Sequence, residues 1–134
     1  MSDPVISLLR DLVAIDSVNP SLVPGASGEA HAAGAVAEHM RRLGLDVQLQ
    51  EVAPGRPNVI GVLEGVERGR SLMFCGHLDT VGVEGMTAPF DPVERDGRIY
   101  GRGSQDMKAG VAAMIDAAAW SRFACMSCSP AVAC

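Results

Sequence analysis

Three polar side chains of this chain, His77, Asp79 and Asp106, stand next to apolar segments in the stretches MFCGHLDTVG and YGRGSQDMKAG. Imidazole nitrogens and carboxylate oxygens are common ligands of zinc in proteins. His77 and Asp79 are two positions apart, so in an extended segment their side chains point to the same side and can reach one site. The residue types and their placement therefore predict a hydrolytic metal site.

Plainer interpretations of the same residues exist. His77 and Asp79 also fit a surface turn with two solvated side chains, and their spacing alone leaves that alternative open. Asp106 stands between the glycine-rich segment GRGS and a predicted helix, where a carboxylate commonly serves only as an N-cap. The segment GRGSQD lacks the GxxxxGK[ST] spacing of a phosphate-binding loop, so we set nucleotide binding aside.

The bulk composition narrows the class of protein. The chain has 134 residues, of which 48% are hydrophobic and 20% charged, as in ordinary globular domains, and its net charge is -5. An acidic chain without clustered Lys and Arg predicts no nucleic-acid partner. No apolar run approaches the roughly 18 residues of a membrane span, and the first residues lack a secretion signal. We therefore expect a cytoplasmic protein with no membrane partner.

The first half of the chain alternates helical and extended patterns. Helical spacing of apolar residues predicts one helix over residues 4–15 and a second helix that Ser27 caps and Gly44 ends. Residues 45–50 alternate apolar and polar side chains, which predicts a half-buried strand.

Two short apolar runs, residues 58–63 and 71–75, have the pattern of strands covered on both faces, with Cys75 as a buried thiol. The dipeptide Asp96-Gly97 predicts a small hairpin turn, and apolar spacing predicts a further helix from Met107. The expected fold class is α/β: a layered sheet with helices on both faces.

At this point the residues carry a resemblance. GHLDTV, APFDPVERDGRIYGRG and SQDMKAG together resemble the amino-terminal part of the catalytic domain of the M20 metallopeptidase family, which includes acetylornithine deacetylase and succinyl-diaminopimelate desuccinylase. The resemblance runs from about residue 5 to about residue 120 and includes SVNP, GEAHAAGAVAEHMRRLG and RPNVIG in the family order. It implies that residues 1–120 are the amino-terminal part of a zinc-hydrolase catalytic domain.

The resemblance also implies roles for the three polar residues. His77 matches a ligand to one zinc of a two-metal site, and Asp106 matches the carboxylate that bridges both metals. Asp79 matches the catalytic-site acid that orients the histidine. The implied cofactor is Zn²⁺, for which Co²⁺ can substitute. The family often has a non-proline cis peptide after the bridging aspartate, here Asp106-Met107.

The activity that the resemblance implies is metal-dependent hydrolysis of amide bonds in N-acyl amino acids or small peptides, by an enzyme that is a homodimer in its full-length form. Arg102 and Lys108 belong to the motifs in support roles. The family takes its glutamate base and its remaining ligands from later segments, and no Glu follows Glu94 here. We therefore expect a truncated, inactive copy of the enzyme. The alternative is a non-catalytic remnant or binding module that pairs with another subunit or fragment.

The last residues depart from the family pattern. After Trp120 the sequence reads SRFACMSCSPAVAC, which is typical of a shifted reading frame, and we expect residues 121–134 to form an aberrant, disordered tail. Cys125 and Cys128 have C-x2-C spacing, and with Cys134 they suggest an alternative metal clip or redox pair. A clip would lack a fourth ligand, and a redox pair would lack its βαβ setting.

Overall fold

The structure is a computed structural model that describes residues 3–65, 70–124 and 129–133. Its elements are α1 (Pro4–Val13), α2 (Ala30–Arg42), β1 (Asp46–Ala53), β2 (Arg56–Val62), β3 (Ser71–Cys75), β4 (Val93–Arg95), β5 (Arg98–Tyr100), α3 (Ala109–Ala124) and β6 (Ser129–Ala133). Helices and strands pack in layers, which confirms the predicted α/β class.

Four strands form the main sheet in the order β1-β2-β6-β3. β6 pairs antiparallel with β2 and parallel with β3, and β1 pairs antiparallel with β2. β4 and β5 form a separate hairpin. Its turn is the predicted Asp96-Gly97, whose φ angles of 53° and 69° are the left-handed conformation that a two-residue hairpin turn requires.

The helices in the described ranges cover one face of the sheet. A single cluster of buried residues joins α1, α2 and α3 to Val59 on β2. Gly61, two residues further along β2, lies so close to α2 that a Cβ there would be 2.7 Å from the Met40 sulfur. The second helical layer that the sequence predicted does not occur within these ranges.

The opposite face of the sheet carries apolar side chains that no helix of the described part covers. Phe74 on β3 packs against the core, so its neighbours Met73 and Cys75 point the other way. Met73 is 68% exposed, and the Cys75 thiol is exposed as well. The prediction of a buried Cys75 is therefore wrong, because strand alternation places it on the uncovered face.

The helix starts differ in how well the sequence predicted them. α1 begins as predicted, with the Asp3 carboxylate accepting a hydrogen bond of 2.9 Å from the Val5 amide and Pro4 in the first turn. α2 begins at Ala30 rather than near Ser27, because the Ser27 hydroxyl donates to the Asp16 carboxylate at 2.8 Å instead of capping the helix.

The carboxyl-terminal part differs from the expected disordered tail over the residues that the structure describes. α3 continues to Ala124, four residues beyond the predicted boundary at 120, and Ser129–Ala133 form a strand of the main sheet. The three cysteines of the alternative clip, Cys125, Cys128 and Cys134, lie outside the described residues. The division of the chain at residue 120 stays a prediction.

Lys108 is the only lysine of the chain, and it is fully buried. Its Nζ donates hydrogen bonds of 2.8 Å to the carbonyl oxygens of Leu12 and Ile15, at the end of α1. The Leu12 carbonyl also accepts from the Ile15 amide at 3.2 Å. Burial lowers the pKa of Lys108 to about 8, although the charge of Asp16 opposes the shift. The amine thus joins the end of α1 to the segment that begins α3.

Because Lys108 is unique, lysine-selective ¹⁵N labelling should give one side-chain amine signal with a titration midpoint near pH 8. Between that pH and the ordinary lysine pKa the unfolded chain binds more protons than the folded chain, so stability should rise with pH. Urea unfolding should show this rise, about 1–2 kcal/mol from pH 8 to 9.5, in the native chain.

The matched variant is Lys108→Met, which keeps the length of the side chain and removes the amine. It should lose the alkaline rise in stability and, at pH 9.5, about 2 kcal/mol of unfolding free energy, because the Leu12 and Ile15 carbonyls lose the amine donor. A midpoint near the ordinary lysine value, with equal pH dependence in both proteins, would contradict this account of Lys108.

Candidate functional site

The segment that carries His77 and Asp79 is fixed by hydrogen bonds to the loop after α1. The Ser17 hydroxyl donates to the Leu78 carbonyl at 2.8 Å. Two backbone bonds of 2.9 Å continue the pairing, from the Thr80 amide to the Ser17 carbonyl and from the Asn19 amide to the Thr80 carbonyl. Ser17, Leu78 and Thr80 are buried, so these bonds are shielded from water. The two loops therefore act as one platform.

His77 lies between two carboxylates. Its Nδ1 is 3.0 Å from the backbone oxygen of Asp79 and 3.2 Å from the Oδ1 of the same residue. Its Nε2 is 3.0 Å from Asp106 Oδ1. The other carboxylate oxygen of Asp79 accepts a 2.7 Å hydrogen bond from the Asn19 side-chain amide. The structure thus brings the three predicted site residues together, and their roles as ligands and orienting acid stay predictions.

Both ring nitrogens of His77 face acceptors, an arrangement that favours the doubly protonated imidazolium. Desolvation is the largest single influence and lowers the pKa of His77. The hydrogen bond to Asp106, the backbone hydrogen bond to Asp79 and both carboxylate charges together outweigh it, so the pKa is raised above its ordinary value. A metal ion at Nε2 would have to displace a proton, so metal affinity should fall as the pH is lowered.

Asp106 lies in an irregular turn, Ser104–Lys108, between the hairpin and α3. Its φ and ψ of -122° and 99° are not helical, and its peptide bond to Met107 is cis, as the resemblance implied. The Asp106 side chain is 83% exposed and contacts His77, and α3 begins only at Ala109. This position differs from the N-cap that local sequence alone suggested.

A pocket of about 250 Å³ opens beside these residues. It is lined by His77, Asp79, Thr80, Val81, Gly101, Arg102, Gly103, Ser104, Gln105 and Asp106. Arg102, predicted to have a support role, also fixes the pocket wall through a 2.7 Å bond from its amide to the Pro89 carbonyl. A smaller pocket of about 130 Å³ also borders His77 and is lined by Glu29, Pro57, Asn58, Gly76, His77, Leu78 and Asp79.

Sequence reasoning missed one residue of this site, Asn19. Asn19 lies in SVNP, one of the stretches that carry the resemblance, but nothing in the local pattern points to Asp79, which is 60 positions away. In the part of the chain that the structure describes, no three or more His, Cys, Asp and Glu side chains are grouped as ligands of one metal ion. His77 and Asp106 therefore offer two donors, one imidazole and one carboxylate.

Comparison with known proteins finds similarity to one family of peptidases. The model of peptidase family M20/M25/M40 matches residues 73–123, the part that holds His77, Asp79 and Asp106. An N-formyl-4-amino-5-aminomethyl-2-methylpyrimidine deformylase of Halalkalibacterium halodurans is 36% identical over 84% of this chain and 27% of its own length. A succinyl-diaminopimelate desuccinylase of Gluconacetobacter diazotrophicus is 37% identical over 88% of this chain and 30% of its own length.

Solved structures of peptidases have a fold similar to that of this chain. An M20 family metallo-carboxypeptidase from Sulfolobus solfataricus superposes with a TM-score of 0.82 at 20% identity, over 98% of this chain and 30% of that one. Human carnosine dipeptidase 1 superposes with a TM-score of 0.76 at 26% identity, over 96% of this chain and 31% of that one. The chain is similar to members of the M20 family in sequence and in fold, and it spans less than a third of the length of these relatives.

A less similar structure is of a protein whose description includes metal binding. A Bacillus subtilis protein described as a dinuclear metal-binding peptidase from the M20 family superposes with a TM-score of 0.61 at 15% identity, over 96% of this chain and 33% of that one. Identity this low supports the shared fold alone. None of the helices in the described ranges has the length and apolar content needed to cross a membrane.

The close approach of the glycine-rich segment to Lys108 gives a test of how the site is built. Gly103 has a φ of 83°, and a Cβ there would lie 2.8 Å from Thr80 Cγ2 and 3.0 Å from Lys108 Cδ. Gly25 has the same φ and open space around it. Gly25→Ala should cost about 1–2 kcal/mol for the left-handed backbone, and Gly103→Ala a further 1–3 kcal/mol, roughly, for the clash.

Thermal or urea unfolding of the two variants measures the difference. Gly103→Ala should also shift the NMR signals of the His77 ring, because the clash displaces the segment that positions Asp106. Equal losses of stability in the two variants, with an unchanged His77 ring, would mean that the tight packing at Gly103 does not support the site.

Proposed function

We propose that this chain carries part of the two-metal centre of an M20 hydrolase that cleaves amide bonds in N-acyl amino acids or small peptides. His77 and Asp106 are the metal ligands in this proposal, and Asp79 is the orienting acid. The observation that carries it is the placement of His77, with Nδ1 facing Asp79 and Nε2 3.0 Å from Asp106 Oδ1.

Each residue has a task in this proposal that its own chemistry permits. Asp79 accepts from Nδ1 of His77, which fixes the ring and leaves the Nε2 lone pair for a ligand bond. Asp106 is highly exposed, so both of its carboxylate oxygens are accessible to ions in the pocket. The pocket wall formed by Gly101 to Gln105 leaves room for a small substrate beside them.

The His77 imidazole and the Asp106 carboxylate are both suitable ligands for zinc. Imidazole and carboxylate are both zinc ligands, and one carboxylate can bridge two ions. When bound, the metal supplies Lewis acidity toward an amide carbonyl and toward water. A catalytic zinc typically has three protein ligands, and the described residues provide two. We therefore expect this chain to hold zinc or cobalt weakly and to have no deacylase activity by itself.

The wider claims rest on the relatives, whose names indicate deformylase, desuccinylase and dipeptidase activities. These chemistries share an amide-type bond next to a small acyl or amino-acid group, which favours N-acyl amino acids or short peptides as substrates here. The specific metal and the homodimer of the full-length enzyme follow from the sequence resemblance and remain part of this proposal. The cytoplasmic location, expected from the sequence itself, is part of it too.

A second candidate is a non-catalytic remnant or binding module that pairs with another subunit or fragment. The uncovered face of the main sheet favours it, since Met73 and Cys75 are both exposed there. Zinc uptake with turnover by the chain alone would support an enzyme. Solubility that appears only with a partner, without turnover, would support the remnant or binding module.

Titration of the chain with Zn²⁺ and Co²⁺ tests the leading proposal. NMR should show the largest shifts at the His77 ring, and the cobalt spectrum should change when His77 binds. His77→Ala and Asp106→Ala should abolish specific uptake, and Asp79→Ala should weaken it about 10–100-fold, the usual effect of removing the partner of a ligand histidine.

His31→Ala is the matched control, because His31 lies exposed on α2 away from the pocket and its loss should change nothing. Assays with N-acetyl amino acids and dipeptides, in the presence of either metal, should detect no turnover by the native chain. Metal uptake that survives His77→Ala, or turnover by the pure chain, would each refute the corresponding part of the proposal.

A further inference from the structure

The Asn19 side chain makes one contact that no local pattern explains: its amide Nδ2 donates to Asp79 Oδ2 at 2.7 Å. We propose that Asn19 is a positioning residue, which holds the Asp79 carboxylate in the orientation that aims its other oxygen at His77. As a statement about the environment of His77, the inference stands on geometry; its consequence for metal binding rests on the proposed function.

The amide of Asn19 can position a partner because it is itself fixed. Its side-chain oxygen accepts from the Ser21 amide at 2.8 Å, and its backbone amide donates to the Thr80 carbonyl at 2.9 Å. These two bonds fix the residue at both ends, so the Nδ2 hydrogens have a set direction. Asn19 thereby extends the platform of the two loops to the carboxylate of Asp79.

The orientation of the Asp79 carboxylate depends on a hydrogen-bond partner of this kind. Its side chain is only partly buried, and without Nδ2 the carboxylate could rotate away from the 3.2 Å contact between Oδ1 and His77 Nδ1. A neutral amide fixes the group without neutralising its charge. The nearby cation Arg56 is held by Glu29 at 2.6 Å, so it does not replace His77 as the close partner of Asp79.

The consequence for His77 is which ring nitrogen gives up its proton first. With Asp79 held in place, Nδ1 keeps its proton and Nε2, on the side of Asp106, is the nitrogen that can offer a lone pair. Asn19 acts on His77 only through Asp79 in this chain of contacts. Its effect should therefore disappear when Asp79 is absent.

Three substitutions separate the contact from the fold of the loop. Asn19→Ala removes both functions of the side chain. Asn19→Asp keeps the oxygen that accepts from Ser21 but replaces the donor to Asp79 by an acceptor. Ser27→Ala is the matched control, because it removes a hydrogen bond of the same loop, to Asp16, that does not involve Asp79.

The primary measurement is NMR of the His77 ring in the metal-free chain. Hydrogen exchange at Nδ1 should be about fivefold faster in both Asn19 variants and unchanged in Ser27→Ala, and Zn²⁺ affinity should fall about 3–10-fold, less than for loss of Asp79 itself. In an Asp79→Ala background, Asn19→Ala should have no further effect on His77. The exchanged pair Asn19→Asp with Asp79→Asn should recover slow exchange, because donor and acceptor are both restored.

Unchanged exchange at Nδ1 in the Asn19 variants, or an equal effect of Asn19→Ala with and without Asp79, would overturn the inference. Failure of the exchanged pair to recover slow exchange would overturn it too, even if a single variant unfolds. If the native chain takes up no zinc, the proposed metal site fails. The exchange rate at Nδ1 still decides the role of Asn19 in that case, so the two failures are distinguishable.

Discussion

The buried amine of Lys108 is the contact on which the rest of the site depends. A lysine is rarely buried unless its donors are satisfied, and here the carbonyls at the end of α1 accept two of them. The hydrogen bond from Lys108 to Leu12 joins residues that are 96 positions apart in the sequence. It places the turn that carries Asp106 against the end of α1 and the loop that follows it. Gly103 lets the chain pass close to the lysine stem. Stability and site geometry are thus linked in one interaction.

The site itself is a meeting of three loops on one end of the sheet. The loop after α1 supplies Asn19, the segment after β3 supplies His77 and Asp79, and the turn before α3 supplies Asp106. Backbone hydrogen bonds join the first two loops, and Lys108 joins the first to the third. A rigid frame of this kind is what a ligand histidine needs, since its orientation decides which nitrogen is available.

The sequence predicted what depends on local pattern. Period-two spacing placed His77 and Asp79 on one side, and the motif resemblance led to Asp106 and its cis bond to Met107. Long-range contacts could not be predicted from the sequence, because no local rule indicates that Asn19 contacts Asp79. The prediction that Cys75 is buried was wrong for a similar reason. An apolar run reads the same whether one face of its strand is covered or both, so only the packing of the helices decides which thiol is buried.

The central claim is that His77 and Asp106 form a preassembled half of a metal centre. Zinc K-edge X-ray absorption on the chain loaded with one equivalent of Zn²⁺ tests it most directly. The account predicts a first shell of nitrogen and oxygen at about 2.0–2.2 Å, which His77→Ala should disrupt. Sulfur at about 2.3 Å, unchanged by His77→Ala, would contradict the account and move the metal to cysteine thiolates.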